Sequence, residues 1–269
     1  MMYKVLKIDK GGTIFSHLIM WSSKCFLPFL LLYGISMKSK IYSIFAIISF
    51  LLLFALSPHK DILATLFITP VVYFWLQKTT PTKRIQYFII FFITLLIIST
   101  LIAAIFGTRL PTQLIVDRLF VTPGYLTGSY MAFFARHPIT YLSDLPLFGL
   151  FFNYPYAHTV PFEVGYFINH VYFNANANLW ASAFAELGNL GMICASIFLT
   201  IYLWLYDSVA NKWNNALPDT LIVLFAIDLF SNIPLQTALF SGGLLLYLVL
   251  LWILAPKNNM HSNDVDKQK

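Results

Sequence analysis

Charge is scarce in this 269-residue chain: Asp, Glu, Lys and Arg make up only 10% of it. Cysteine is scarcer still, and both copies, Cys25 and Cys194, fall inside apolar stretches, so no disulfide framework is expected. The sequence has no Walker loop, HExxH, CxxC or GxSxG motif, which removes support for nucleotide hydrolysis, zinc proteolysis and serine hydrolysis. No metal or cofactor is expected. The 17 basic residues exceed the 11 acidic ones, but they lie between and beyond hydrophobic runs rather than on one patch. That pattern points to membrane topology and away from nucleic acid.

What the chain has instead is apolar mass, with 59% hydrophobic and 17% aromatic residues and a mean hydropathy of +0.74. The composition is that of an all-α polytopic membrane protein. A membrane-crossing helix needs roughly 20 mainly apolar residues. On that basis about seven spans are predicted: 14–36 (interrupted by Lys24), 41–57, 62–77, 86–106, 188–206, 219–233 and 238–254. If all cross, Lys38, Lys40, Lys78, Lys83, Arg84, Lys212 and Lys257 fall on one side, which the positive-inside rule makes the cytoplasm. The division is then N-terminal spans in 1–106, one long external loop at 107–187, C-terminal spans in 188–256 and a cytoplasmic tail at 257–269. Lys4, Lys7 and Lys10 break the rule. Either 14–36 is re-entrant or interfacial, or upstream helices found in longer relatives are missing.

The external loop is too long and too aromatic for a plain linker. Thr122 followed by Pro123 predicts an N-cap and a proline at the first helical position, opening a helix to about Phe134. Leu126, Tyr130, Phe133 and Phe134 share one face of it, which suits a short helix lying on the membrane surface. The stretch 144–173, rich in Pro and Gly, predicts an irregular aromatic loop. Beyond it, Asn174, Asn178, Ser182 and Glu186 stand four apart. On a helix they form one polar stripe beside the small residues Ala177, Ala181 and Ala185, either a packing face or the wall of a polar cavity.

Arg109, Arg118 and Arg136 are the external arginines, each suited to an anionic group or to anchoring at the interface. Glu163, Glu186, Asp144, His158 and His170 are candidates for proton transfer. Lys60, in the turn "SPHKD", is either a headgroup contact or an ordinary turn residue. Asp228 is an acid within a predicted span, functional or paired by default.

"RLFVTPGYLTGSYMAFF" (118–134) and "NANANLWASAFAELGNLGM" (174–192) resemble elements of the oligosaccharide repeat-unit polymerases of the Wzy O-antigen polymerase type. The resemblance covers roughly 40–250 and rests on an Arg-x4-Pro-Gly element and an Asn-rich, Gly-x2-Gly element. It implies a metal-independent glycosyl transfer at the outer face of the bacterial inner membrane, on polyprenyl-diphosphate-linked glycans, with membrane lipids and a chain-length regulator as partners. Arg118 and Arg136 would then stabilise the leaving diphosphate, and Glu186 or His170 would be the base. Arg109, Lys60, Pro123, Gly124, Tyr125, Tyr130, Trp180, Asn174, Asn176 and Asn178 would line the substrate groove. Members usually have more spans, which suggests an N-terminally shortened polymerase, and an acid often stands near the position of Ser182, so that role is not carried over. A lipid-linked glycan transporter, an O-antigen ligase-like protein and an inactive remnant are the alternatives; no internal helix repeat supports the transporter.

The topology has a direct check. A reporter fused after Leu150 is expected to be active only on the outer side of the membrane; activity in the cytoplasm overturns the scheme.

Overall fold

The computed structural model describes residues 12–108, 110–145 and 148–256; among them are helices, turns and loops but no strand. In chain order the helices are α1 (Gly12–Trp21), α2 (Leu27–Ser36), α3 (Lys40–Leu56), α4 (Lys60–Lys78), α5 (Pro81–Phe106), α6 (Leu110–Thr112), α7 (Thr122–Phe134), α8 (Val160–Asn169), α9 (Leu179–Ala210), α10 (Leu217–Ser231), α11 (Leu235–Leu239) and α12 (Leu244–Ile253). Two π-helical turns, Ser22–Phe26 and Gln113–Val121, join α1 to α2 and α6 to α7. Arg109, the basic residues Lys4, Lys7 and Lys10, and the tail 257–269 lie outside the described residues.

Four stretches are long and apolar enough to cross a membrane: His17–Ser36, Ile89–Phe106, Leu179–Ala210 and Leu235–Ile253. The other three predicted spans form α3, α4 and α10, of 17, 19 and 15 residues. α5 shows why such a helix forms. Thr80 takes the extended N-cap conformation, Pro81 opens the first turn where its missing N–H costs nothing, and Gly107 closes it at φ +61°. Its apolar side chains run all round, and Ile89, Phe91, Ile98 and Ile105 lie exposed. An apolar surface of that extent is foreign to a water-soluble domain.

The chain divides into two compact units. The first comprises the described residues 12–77, 202–222 and 243–256. Its α2, α3 and α4 share a core of Leu27, Leu31, Ala46, Phe50, Ile62 and Leu66. The π turn at Ser22–Phe26 shifts the helical hydrogen-bond register, and the carbonyl of Lys24 accepts a hydrogen bond from the Tyr247 hydroxyl. The Lys24 ammonium lies 3.7 Å from the Asp61 carboxylate at the start of α4. Lys60, one residue earlier, is exposed. Aromatic donors bind carbonyls elsewhere in this unit too: Tyr206 to Pro218 at 2.8 Å and the Trp213 indole to Leu251 at 3.1 Å. A buried Tyr or Trp needs such a partner.

The second unit comprises 78–201 with 223–242. Its core gathers Leu126, Tyr130, Phe133 and Phe134 of α7, Val164 of α8, and Ala175, Ala177, Ala181 and Ala185. Four sequence expectations change here. Thr122 is not an N-cap, because Val121 and Thr122 are already helical and the Thr122 N–H bonds back to the Asp117 carbonyl, five residues earlier. That wide turn lets the helix run on into Pro123, whose ring has no N–H to offer an α-helical ladder. The apolar face of α7 is not laid on a membrane surface; it is buried against the rest of the unit. The stretch 144–173 is not wholly irregular. It contains α8, which tolerates Pro161 because a proline in the first helical turn breaks no internal bond.

The fourth change concerns the polar stripe. Only Ser182 and Glu186 lie on a helix, since 172–178 is non-helical and α9 begins at Leu179. α9 is itself broken: Leu187 has φ −136° and ψ 17°, and Gly188 has φ +61° and ψ −144°, a backbone region open essentially to glycine alone. Three residues on, a Cβ at Gly191 would collide with the Ala183 carbonyl, so the chain beyond the break passes close over the segment before it.

The break therefore demands both glycines. Gly188→Ala is expected to cost about 1–3 kcal/mol of stability through backbone strain, and Gly191→Leu to be at least as damaging. Thermal unfolding of the purified protein in detergent reads this as a lowered Tm; unchanged melting in both variants would show that the break carries no strain.

Candidate functional site

The Asn-rich segment is explained by two local patterns. From Asn174 to Ala177 the side chains alternate, with Ala175 and Ala177 buried in the core of the second unit and Asn174 and Asn176 exposed. Such alternation is the mark of extended backbone. Alanine suits the buried positions because the segment lies against α7 and α8, and the Ala175 N–H donates to the Pro161 carbonyl at 3.1 Å.

At Asn178 the chain turns into α9. The Asn178 Oδ1 accepts the Ala181 N–H at 3.0 Å, an N-cap bond that satisfies one of the orphan donors of the first turn. Its Nδ2 donates to Thr127 Oγ1 of α7 at 3.0 Å, and that hydroxyl donates in turn to the Pro123 carbonyl at 2.7 Å. One turn along α7, the Tyr130 hydroxyl donates to the Ala175 carbonyl at 3.0 Å. Tyr130 is 1% exposed, and burial pushes its phenol above the ordinary range, keeping it a neutral donor. These two rungs fasten α7 to the Asn-rich segment.

The far end of the 179–186 helix is closed by another strand of chain. The break at Leu187 frees the last carbonyls of that segment. Those of Ala185 and Glu186 accept the N–H groups of Thr140 and Tyr141, each at 2.9 Å. Tyr141 and the following Leu142 take positive φ values of 52° and 60°. The Glu186 carboxylate accepts a hydrogen bond from the Gln236 amide of α11. Trp180 stacks on Phe230 at 5.4 Å and donates its indole N–H to Ser196 Oγ at 3.0 Å.

The predicted site residues consequently separate into two groups. Pro123, Tyr130 and Asn178 are buried, Trp180 is half-buried under a ring, and Glu186 is half-buried and engaged by Gln236. Pro123, Tyr130 and Asn178 are part of the scaffold of the unit, and Trp180 and Glu186 are tied into it. Arg118, Gly124, Tyr125, Arg136, His170, Asn174 and Asn176 are exposed, all within the second unit. Neither Arg118 nor Arg136 has an ion-pair partner among the described residues. His170 ends α8 in the left-handed conformation, φ +55°, with its N–H on the Tyr166 carbonyl at 2.7 Å. Lys60 belongs to the first unit. No cluster of three metal-ligating side chains occurs among the described residues.

Sequence inspection named His158 and Glu163 one at a time and missed that they form a group. The His158 Nδ1 lies 3.4 Å from Glu163 Oε1, and the His158 backbone N–H donates to the same oxygen at 3.0 Å. The His158 ring stacks on Tyr172 at 4.5 Å, Tyr172 stacks on Tyr166 at 4.7 Å, and His170 meets Tyr166 edge-on. Tyr154 donates to the His158 carbonyl at 3.1 Å. The five-residue spacing of His158 and Glu163 across a helix start was the only hint. It places the carboxylate in the first turn of α8, beside the residue that precedes the cap.

Comparison with protein-family models, curated proteins and solved structures gave no match.

The Asn178 node can be dissected by substitution. Asn178→Ala removes cap and rung together and is expected to lower stability by about 1–2 kcal/mol. Thr127→Val keeps the cap, loses only the acceptor for the Asn178 amide, and should fall between. Asn176→Ala, at an exposed position, should leave the melting temperature where it is. Melting curves that rank the three otherwise would show that Asn178 is not the fastening point.

Proposed function

We propose that the chain is a multi-pass inner-membrane polymerase of the Wzy type, joining polyprenyl-diphosphate-linked oligosaccharide repeat units at the outer face of the membrane. One observation carries this: the two sequence elements behind the resemblance, 118–134 and 174–192, pack against each other in one unit. They share a core and two hydrogen-bonded rungs while leaving Arg118, Arg136, Asn174 and Asn176 exposed. The apolar residues of each element are buried against those of the other. The four stretches long and apolar enough to cross a membrane support the multi-pass part. On this scheme 107–187 is the external lobe, and the apolar helices before and after it in sequence are its membrane anchor.

The chemistry follows from the groups exposed on that lobe. When the growing chain leaves its lipid diphosphate, negative charge gathers on the departing oxygens. A guanidinium holds its charge at any working pH and presents a planar fork of donors to phosphate oxygens. Fixed donors of this kind stabilise charge as it develops. Arg118 and Arg136 take that role, and the exposed amides of Asn174 and Asn176 suit sugar hydroxyls. Glu186 serves the scaffold, holding α11 through Gln236.

Arg118→Ala and Arg136→Ala are each expected to shorten or abolish the polymer in cells that make the glycan. A loss of roughly 10²-fold in rate is the ordinary consequence of deleting one donor to a developing anion. Polymer length distributions on gels read this out. If both variants leave the distribution unchanged, the diphosphate role is withdrawn.

A further inference from the structure

We infer that His158, oriented by Glu163, is the general base that deprotonates the acceptor sugar hydroxyl, with the aromatic column of Tyr172 and Tyr166 as the floor beside it. The inference rests on the polymerase function above and names the acceptor side of the same reaction. It replaces His170 and Glu186 as the base.

The geometry distinguishes the candidates. A general base needs a free lone pair at the surface, a neighbour that fixes its tautomer, and a rigid mount. His158 has all three. Glu163 Oε1 stands 3.4 Å from Nδ1, so the proton of the neutral ring belongs on Nδ1 and the lone pair on Nε2. Nε2 has no hydrogen-bond partner among the described residues. The His158 side chain is 48% exposed, whereas that of Glu163 is only 17% exposed. Solvent and substrate therefore reach the imidazole, while the carboxylate behind it is sheltered.

The mount is the carboxylate itself. Glu163 fixes both the backbone and the ring of His158, through the N–H bond at 3.0 Å and the Nδ1 contact, and Tyr172 fixes the plane of the ring by stacking. The ionisable groups against His158 are thus Glu163 and Tyr172 at its ring and Tyr154 at its carbonyl. His170 has only an edge contact with Tyr166 and no carboxylate to orient it among the described residues. Glu186 already accepts the Gln236 amide. Tyr156 and Val160, which flank His158 in sequence, pack on the same core that α7 fills with Phe133 and Phe134, two residues before Arg136. The base and one of the proposed diphosphate ligands are carried by one hydrophobic cluster.

In the step itself the acceptor hydroxyl gives its proton to His158 Nε2 as its oxygen forms a bond to the anomeric carbon. The bond between that carbon and the lipid diphosphate oxygen breaks, and its electron pair leaves with the diphosphate. The imidazolium, steadied by Glu163, then returns its proton to water or to the released diphosphate. No oxidant, reductant or metal is required for the balance.

The test uses the full chain in proteoliposomes supplied with the diphosphate-linked oligosaccharides extracted from membranes of the producing cells. His158→Phe keeps a ring to stack on Tyr172 and deletes the base. It is expected to slow polymerisation about 100-fold or more, the ordinary contribution of general base catalysis. It should also change the shape of the pH–rate profile, since the proton-accepting group is gone. Glu163→Gln keeps an acceptor for the His158 N–H but removes the charge behind the ring; about a tenfold loss in kcat, with KM unchanged, is expected. If the wild-type chain polymerises and His158→Phe matches its rate and pH profile, the base assignment is overturned and the polymerase function stands. If the wild-type chain forms no polymer, both fall together.

Discussion

Everything in the second unit depends on how one asparagine ends an extended segment and begins a helix. Asn178 spends its carbonyl oxygen on the cap of α9 and its amide nitrogen on Thr127 of α7. An acceptor-only side chain such as an aspartate could supply the cap but not the bond to Thr127. Because cap and cross-link share a side chain, the start of α9 and its position against α7 are set by the same event. Loss of either leaves a buried polar group without its partner, the costly case for hydrogen bonds in a protein interior.

The break at Leu187 and Gly188 is the second constraint, and it works with the first. A continuous helix from Leu179 would carry Glu186 and its carbonyl forward with no vacancy for another chain. The break ends the segment after two turns and opens the carbonyls of Ala185 and Glu186 to the backbone of Thr140 and Tyr141. The 140–142 segment, in turn, leads from the end of α7 toward the aromatic stretch that includes Tyr154 and Tyr156. Cap, break and cross-links together make a rigid frame of short pieces. A frame of this kind can hold exposed arginines and an oriented imidazole more steadily than free loops could.

The helices were legible in the sequence because apolar runs announce themselves: the seven predicted spans each coincide with helical structure, although only four stretches meet the length and composition of a membrane crossing. The apolar face of α7 was legible too, as Leu126, Tyr130, Phe133 and Phe134 at helical spacing. What it faces was not, since a stripe of that kind fits lipid and protein core equally well. The four-residue spacing of Asn174, Asn178, Ser182 and Glu186 misled for a related reason. Spacing implies a shared face only on a continuous helix, and here the chain is non-helical up to Asn178, where the cap starts α9. α8 stayed hidden behind Pro161, which reads as a breaker in sequence and is harmless in a first turn.

By itself the sequence determined the all-helical class, the apolar runs and the aromatic segment among them, because burial of apolar groups and backbone hydrogen bonding in each run are local properties of composition. It also determined which residue types were at hand for chemistry: arginines, amides, and a few histidines and carboxylates. Only the tertiary structure decided which of them are spent on the frame and which remain at the surface. Tyr130, Asn178 and Trp180 became scaffold, Arg118, Arg136 and Asn176 stayed exposed, and His158 met Glu163. For Tyr130 and Asn178 they turn on hydrogen bonds to residues dozens of positions apart, and for His158 on a contact across the start of a helix, neither of which a linear pattern encodes.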